Sequence, residues 1–228
     1  MTNVKMLESV YRMVDEAIRL ALPETDKIEE TLRKGLLSIN SEFGSTIDIL
    51  KSHIANEDAK RNGRSKQLTV AKRIIKNAKK FCSSETLHGA WIGKNGYQFV
   101  SDSYRVIMFE NHLQLPEAEG SERIESIVSK TYPNYDKKLM PPSVPDLKAM
   151  LTEHKAKHKG ERKIPALSYV FEDFEIGVNA QYLLDMLEAM PDGKFYMTGG
   201  VISPIYIESD GIKGLLLPIR LKQNEKNI

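Results

Sequence analysis

Cysteine is almost missing from this chain: Cys82 is the only one in 228 residues. An internal disulfide is therefore excluded, and a cytoplasmic protein is the simple expectation. Cys82 stands in no nucleophile motif and is expected to be a small buried residue. Long apolar runs are missing too, so no membrane span is expected, and Met1-Thr2-Asn3-Val4-Lys5 is not the start of a signal peptide. The net charge is only +2, too small to imply a nucleic-acid partner by itself.

Catalytic constellations are equally scarce. His154 and His158 are four apart and share a helix face, but no carboxylate or cysteine completes a metal motif and lysines crowd them. Glu172, Asp173 and Glu175 have no base or nucleophile beside them. Thr198-Gly199-Gly200 is not followed by a helix N-terminus carrying a lysine, which excludes a phosphate loop. The expectation is a protein without catalytic residues, metal or cofactor.

What the chain does have is 41% hydrophobic residues, enough for one or two domains with a sizeable core. Leu7, Val10, Tyr11, Val14, Ala17, Ile18 and Ala21 fall at helical spacing, and Pro23 ends that helix. Asp26 and Glu29 have capping-box spacing for a second helix through Leu37. Gly44-Ser45-Thr46 predicts a break, then a third helix with Ile47, Leu50 and Ile54. Residues 1–62 thus form an expected helical unit for packing or oligomerisation, and the basic stretch Lys60 to Lys66 is expected to be a linker. A helix over 67–81 follows, with Leu68, Val70, Ala71, Ile74, Ile75, Ala78 and Phe81 on its buried stripe.

The period then changes to two. Leu87–Ile92 and Tyr97–Val100 read as strands around Gly93-Lys94-Asn95-Gly96, because Asn-Gly is a strong hairpin signal. Ser101–Phe109 reads as a third strand. Residues 111–145 hold five of the ten prolines and read as a connector, interrupted by a short helix near Arg123–Lys130. Helices at 146–159 and from Asn179, a strand near 167–171 and three short final strands complete an α+β pattern with antiparallel sheets. In the last strand Leu215, Leu217, Ile219 and Leu221 alternate onto one face, and Pro218 predicts a sheet edge or bulge. That apolar row is either core or a docking surface.

Three segments resemble, in order, the bacterial sliding clamp family, the β subunit of DNA polymerase III. Leu87-His88-Gly89 with Ser101-Asp102-Ser103-Tyr104-Arg105-Val106 is similar to the start of the clamp's second domain. Tyr132-Pro133-Asn134-Tyr135 up to Pro141 is similar to the segment entering the linker to its third domain. Phe174 through Ser203-Pro204 to Leu217-Pro218-Ile219-Arg220-Leu221 resembles the second half of the third domain. Ser103 stands where the family has glycine, and Tyr104 where it has histidine. The resemblance spans roughly 67–221. It implies antiparallel-sheet, clamp-like half-domains at 67–133 and 146–222, joined by a linker at 134–145, with an added N-terminal helical unit.

The resemblance further implies a cleft that receives short peptides of polymerases and other replication or repair proteins. One wall would be Leu87, Ser101, Ser103, Tyr104, Arg105 and Val106. The other would be Ile202, Pro204, Leu215, Leu217, Pro218, Ile219, Arg220 and Leu221, with Pro141 at its edge. Clamp helices face duplex DNA, so Lys72, Arg73, Lys76, Lys80, Lys148, Lys155 and Lys159 are candidate phosphate contacts; a solvated helix face is the alternative. The functional expectation is a clamp-like processivity factor. A non-encircling adaptor or decoy of the true clamp, or a scaffold with the cleft closed as core, are the alternatives. The N-terminal helices are the expected homo-oligomerisation element.

Overall fold

The computed structural model describes residues 2–21, 27–131, 137–171, 174–197 and 203–221. The chain divides into two compact units, Met1–Gly63 and Arg64–Ile228.

The first unit is a helical hairpin of α1 (Thr2–Ala21) and α2 (Lys27–Arg61). The expected break at Gly44 does not occur, and α2 runs on as one helix. Ser45 Oγ donates to the Ser41 carbonyl and Thr46 Oγ1 to the Glu42 carbonyl, each at 2.9 Å, so both hydroxyls are satisfied inside the helix. The glycine is used for proximity instead: a Cβ on Gly44 would lie 3.3 Å from the Tyr11 ring.

The expected linker shrinks to a turn at Asn62-Gly63, with Gly63 at φ 67°. Then α3 (Ser65–Phe81) buries Leu68, Val70, Ala71, Ile74, Ile75 and Ala78 as the spacing predicts. Phe81 departs from that stripe and is 63% exposed, because the helix ends there and the ring lies beside Lys80.

The second unit is α+β. One seven-stranded antiparallel sheet has the order β1-β2-β3-β9-β8-β7-β4. Its strands are β1 (Trp91–Ile92), β2 (Gln98–Ser101), β3 (Arg105–Phe109), β4 (Lys137–Leu139), β7 (Lys194–Met197), β8 (Ile205–Ser209) and β9 (Ile212–Leu216). A separate ribbon pairs β5 (Ser168–Phe171) with β6 (Phe174–Asn179). The helices are α4 (Glu122–Thr131), α5 (Val144–Lys157) and α6 (Ala180–Ala189). α6 packs against α3, α5 and β9.

Several expectations change here. The expected strand at 87–92 is a 3-10 turn at Glu85–Leu87 followed by a two-residue strand. The connector at 134–145 holds β4, whose Lys137 to Leu139 pair with β7. The segments at 67–133 and 146–222 contribute to one sheet, because β3 pairs directly with β9 (Val106 opposite Leu215). The expected edge strand is therefore interior: β9 lies between β3 and β8. Pro218 falls two residues past the strand end, where its missing N–H interrupts no ladder. The predicted turn at Gly199-Gly200 lies outside the described residues.

The sheet is buried on both faces at its centre; every residue of β3 is buried. On one side Leu87, Trp91, Phe99, Val106, Met108, Val128, Tyr206 and Leu215 form a cluster. On the other, Gly214 lets α6 come close: a Cβ there would sit 2.5 Å from Met186 Cε and 2.9 Å from Met190 Cε.

Candidate peptide-binding surface

The two segments that the sequence places on opposite walls of a cleft are neighbours. Immediately past β9, the Leu217 N–H donates to the Tyr104 carbonyl at 2.9 Å. Two residues on, the Ile219 N–H donates to the Gly177 carbonyl of β6 at 2.7 Å. The segment 217–221 is thus pinned at two points, between the main sheet and the ribbon. Leu221 packs over Gly177, where a Cβ would lie 2.4 Å from Leu221 Cδ2. Pinned this way, the segment keeps Leu217 and Ile219 38% and 36% exposed, with Tyr104 53% exposed beside them. The Tyr104 and Tyr182 rings lie 6.1 Å apart, extending this apolar surface onto α6.

The wall residues separate into two sets. Leu87, Ser101, Arg105, Val106 and Leu215 are buried. Strand pairing closes the space in which they would have lined a cleft, and they support the surface from below. Ser103, Tyr104, Leu217, Ile219 and Arg220 are exposed, while Pro204, Pro218 and Leu221 are partly so. Pro141, also partly exposed, lies between β4 and α5. Ile202 lies outside the described residues.

Beneath Tyr104 is a charge network that reaches across the fold. Ser101 Oγ donates to the Arg105 carbonyl at 2.9 Å and accepts from Ser103 N at 3.1 Å, closing a tight turn. Asp102 Oδ1 accepts from the backbone N–H groups of Tyr104 and Arg105, both at 3.2 Å. Asp102 Oδ2 accepts from Arg105 Nε at 3.1 Å. Arg105 also donates to Asp185 of α6, and its guanidinium carbon lies 4.2 Å from the Tyr182 ring centre. Asp185 in turn accepts from Arg73 of α3. Arg73 reaches Glu188 at 3.3 Å, and Glu188 meets Lys148 of α5 at 2.8 Å.

Two groups in this network titrate away from their ordinary values. Burial, aided by the Asp102 carboxylate, pushes the Tyr182 phenol up. Burial would also raise Glu188, but Lys148 and Arg73 outweigh it and hold the carboxyl below the ordinary glutamate value.

No local sequence pattern marks Asp185 or Tyr182 as a site residue. The one signal Asp185 leaves is a lone charge in the apolar run Leu183-Leu184-Asp185-Met186-Leu187. It lies 80 residues from its Arg105 partner, a pairing no local pattern encodes.

The candidate phosphate contacts also divide. Arg73 serves Asp185 and Glu188, and Lys148 serves Glu188, so both have structural partners. Lys72 is half-buried, and that burial lowers its pKa. Lys76, Lys80, Lys155 and Lys159 are exposed. His154 Nε2 lies 2.8 Å from the Pro165 carbonyl and His158 Nδ1 2.6 Å from Glu161 Oε1. Among the described residues no three His, Cys, Asp or Glu side chains gather as metal ligands, and no helix is long and apolar enough to cross a membrane.

No family model matches the sequence, and no curated protein matches it. Among solved structures, the Helicobacter pylori beta clamp bound to a DNA ligase peptide is similar to this chain. The TM-score is 0.37 and the identity 15%, over 67% of this chain and 63% of that one. The chain thus spans less than two thirds of the length of that clamp chain.

Proposed function

We propose that this protein is a non-catalytic, clamp-like factor of DNA replication or repair that recruits partner proteins by their short linear motifs. The motif would lie over the 217–221 segment, its apolar end against Leu217, Ile219 and Tyr104. The observation that carries this reading is the pair of hydrogen bonds that fixes a strand end while leaving its leucine and isoleucine exposed. An exposed apolar row on a rigid support suits capture of an extended apolar peptide. The resemblance of Leu217-Pro218-Ile219-Arg220-Leu221 to the clamp family's terminal motif supports the same reading.

The test is a fluorescence-anisotropy titration with a labelled peptide carrying glutamine, then leucine, and ending in Leu-Phe. Saturable binding is expected, weakened at least ~10-fold by Leu217→Asp with an unchanged circular dichroism spectrum, because a charge at a partly exposed position leaves no buried ion. Val106→Asp is the contrast: it places an unpaired charge in the core and is expected to unfold the protein. A folded wild type that binds no such peptide would refute the proposal.

A further inference from the structure

The helical hairpin of the first unit carries an apolar face that its own two helices leave open. Among the described residues, the seam between them is marked by three contacts: Glu8 pairs with Lys51, the Tyr11 ring lies tilted 6.1 Å from the Phe43 ring, and Asn40 Nδ2 donates to Asp15 Oδ1 at 2.9 Å. Numbers rise along α1 as they fall along α2, so the pair is antiparallel. Each seam residue turns the next position roughly 100° around its helix. Val10 precedes Tyr11, Val14 precedes Asp15, Ile39 precedes Asn40 and Leu50 precedes Lys51. All four are more than a third exposed, Leu7 before Glu8 is partly so, and Glu42 before Phe43 adds one exposed carboxylate to this side. In antiparallel helices, the same backward rotation on both swings these side chains to one side of the pair. Positions after the seam residues carry Arg12, Glu16, Ser41 and Ser52, so the opposite side is polar.

We infer that this face docks on the same face of a second copy of the chain, across a two-fold axis, to make a four-helix bundle. Three observations select that occupant. The face holds neither lysine nor arginine along the described stretch of overlap, which disfavours an anionic membrane surface or nucleic acid. Two helices alone make a thin core: the buried apolar residues described in this unit are Ile47, Ala55 and Ala59. Small helical units of this kind gain a closed core by oligomerising. The area also fits. A 20-residue α1 beside α2 presents on the order of 600 Å² of projected face, close to the ~800 Å² per partner of a standard interface. An isologous contact needs one self-complementary patch, and four helices in two antiparallel pairs bury both apolar rows.

The experiment is sedimentation velocity on the full chain over a concentration series up to ~100 µM, a range spanning ordinary dimer affinities. A wild-type dimer is expected. Val14→Glu combined with Ile39→Glu is expected to raise its dissociation constant at least ~10-fold, with helical circular dichroism unchanged. Leu50→Lys, a single change at an exposed position of the same face, is the second variant and should weaken the dimer in the same direction. A wild type that stays monomeric throughout would overturn the inference. A dimer indifferent to the folded variants would do so as well, as would a monomeric wild type that floats with anionic phospholipid vesicles. Peptide titration reads the second unit separately, so failure here is distinguishable from failure of the proposed function.

Discussion

Ser103 is the one non-glycine residue with positive φ among those described, at 70°. A Cβ in the left-handed region costs roughly 1–2 kcal/mol, and glycine would avoid it at a somewhat larger loss of chain entropy. Ser103→Gly is therefore expected to stabilise the fold by up to about 1 kcal/mol in urea denaturation. No gain would mean that the serine's surroundings offset the strain. The sequence signalled this position only through the resemblance, which places glycine there. Arg105 shows the opposite limit. Its motif was legible, yet its burial was not, because Asp185 and Tyr182 reach it from a distant helix. Glu188 gives the residue scale its pH dependence. Its folded pKa lies below the ordinary value, so its ion pairs stabilise the fold above that value, and the contribution is lost as pH falls through the lower folded pKa. Thermal melts should show a smaller loss of stability for Glu188→Gln than for wild type between roughly pH 5 and pH 3. Identical slopes would show that Lys148 and Arg73 do not act through this carboxylate.

At the scale of elements, period and spacing placed α3, α4, α5, α6 and the hairpin of β1 and β2 close to where they lie. The misses have specific causes. Gly44 reads as a breaker because glycine is costly within a helix, but the approach of Tyr11 favours a residue without a side chain there. Pro218 reads as the mark of an edge or bulge, but it lies two residues past β9, between the hydrogen-bonding Leu217 and Ile219, where no donor is needed. Strand partners 109 residues apart in sequence, such as Val106 and Leu215, leave no mark in local pattern. The basic helices pose a question that spacing could not answer, since Arg73 and Lys148 are committed to Glu188 while Lys76, Lys80, Lys155 and Lys159 are exposed. If α3 and the end of α5 contact duplex DNA, changing those four exposed lysines to glutamate should abolish a gel shift and flatten its salt dependence. Binding that survives the fourfold change would assign these lysines to solvent.

At the scale of the whole molecule, the division after Gly63 separates two different folding problems. The second unit closes its own core: β3 and β9 are buried from both sides, and the network from Asp102 to Lys148 ties the β2–β3 turn to α6, α3 and α5. The first unit relies on two helices with an open apolar face, and helices isolated from tertiary packing are marginal in water. A fragment comprising residues 64–228 is therefore expected to fold cooperatively and to keep the proposed peptide affinity within about twofold, since Tyr104, Leu217 and Ile219 all belong to that unit. The same fragment is expected to be monomeric where the full chain dimerises. Guanidinium denaturation followed by circular dichroism and by peptide anisotropy would check the first expectation, and sedimentation the second. A fragment that fails to fold would place part of its core in the helical hairpin. A fragment that folds and still dimerises would move the self-association surface onto the sheet-bearing unit, where the ends β1 and β4 offer strand edges for pairing.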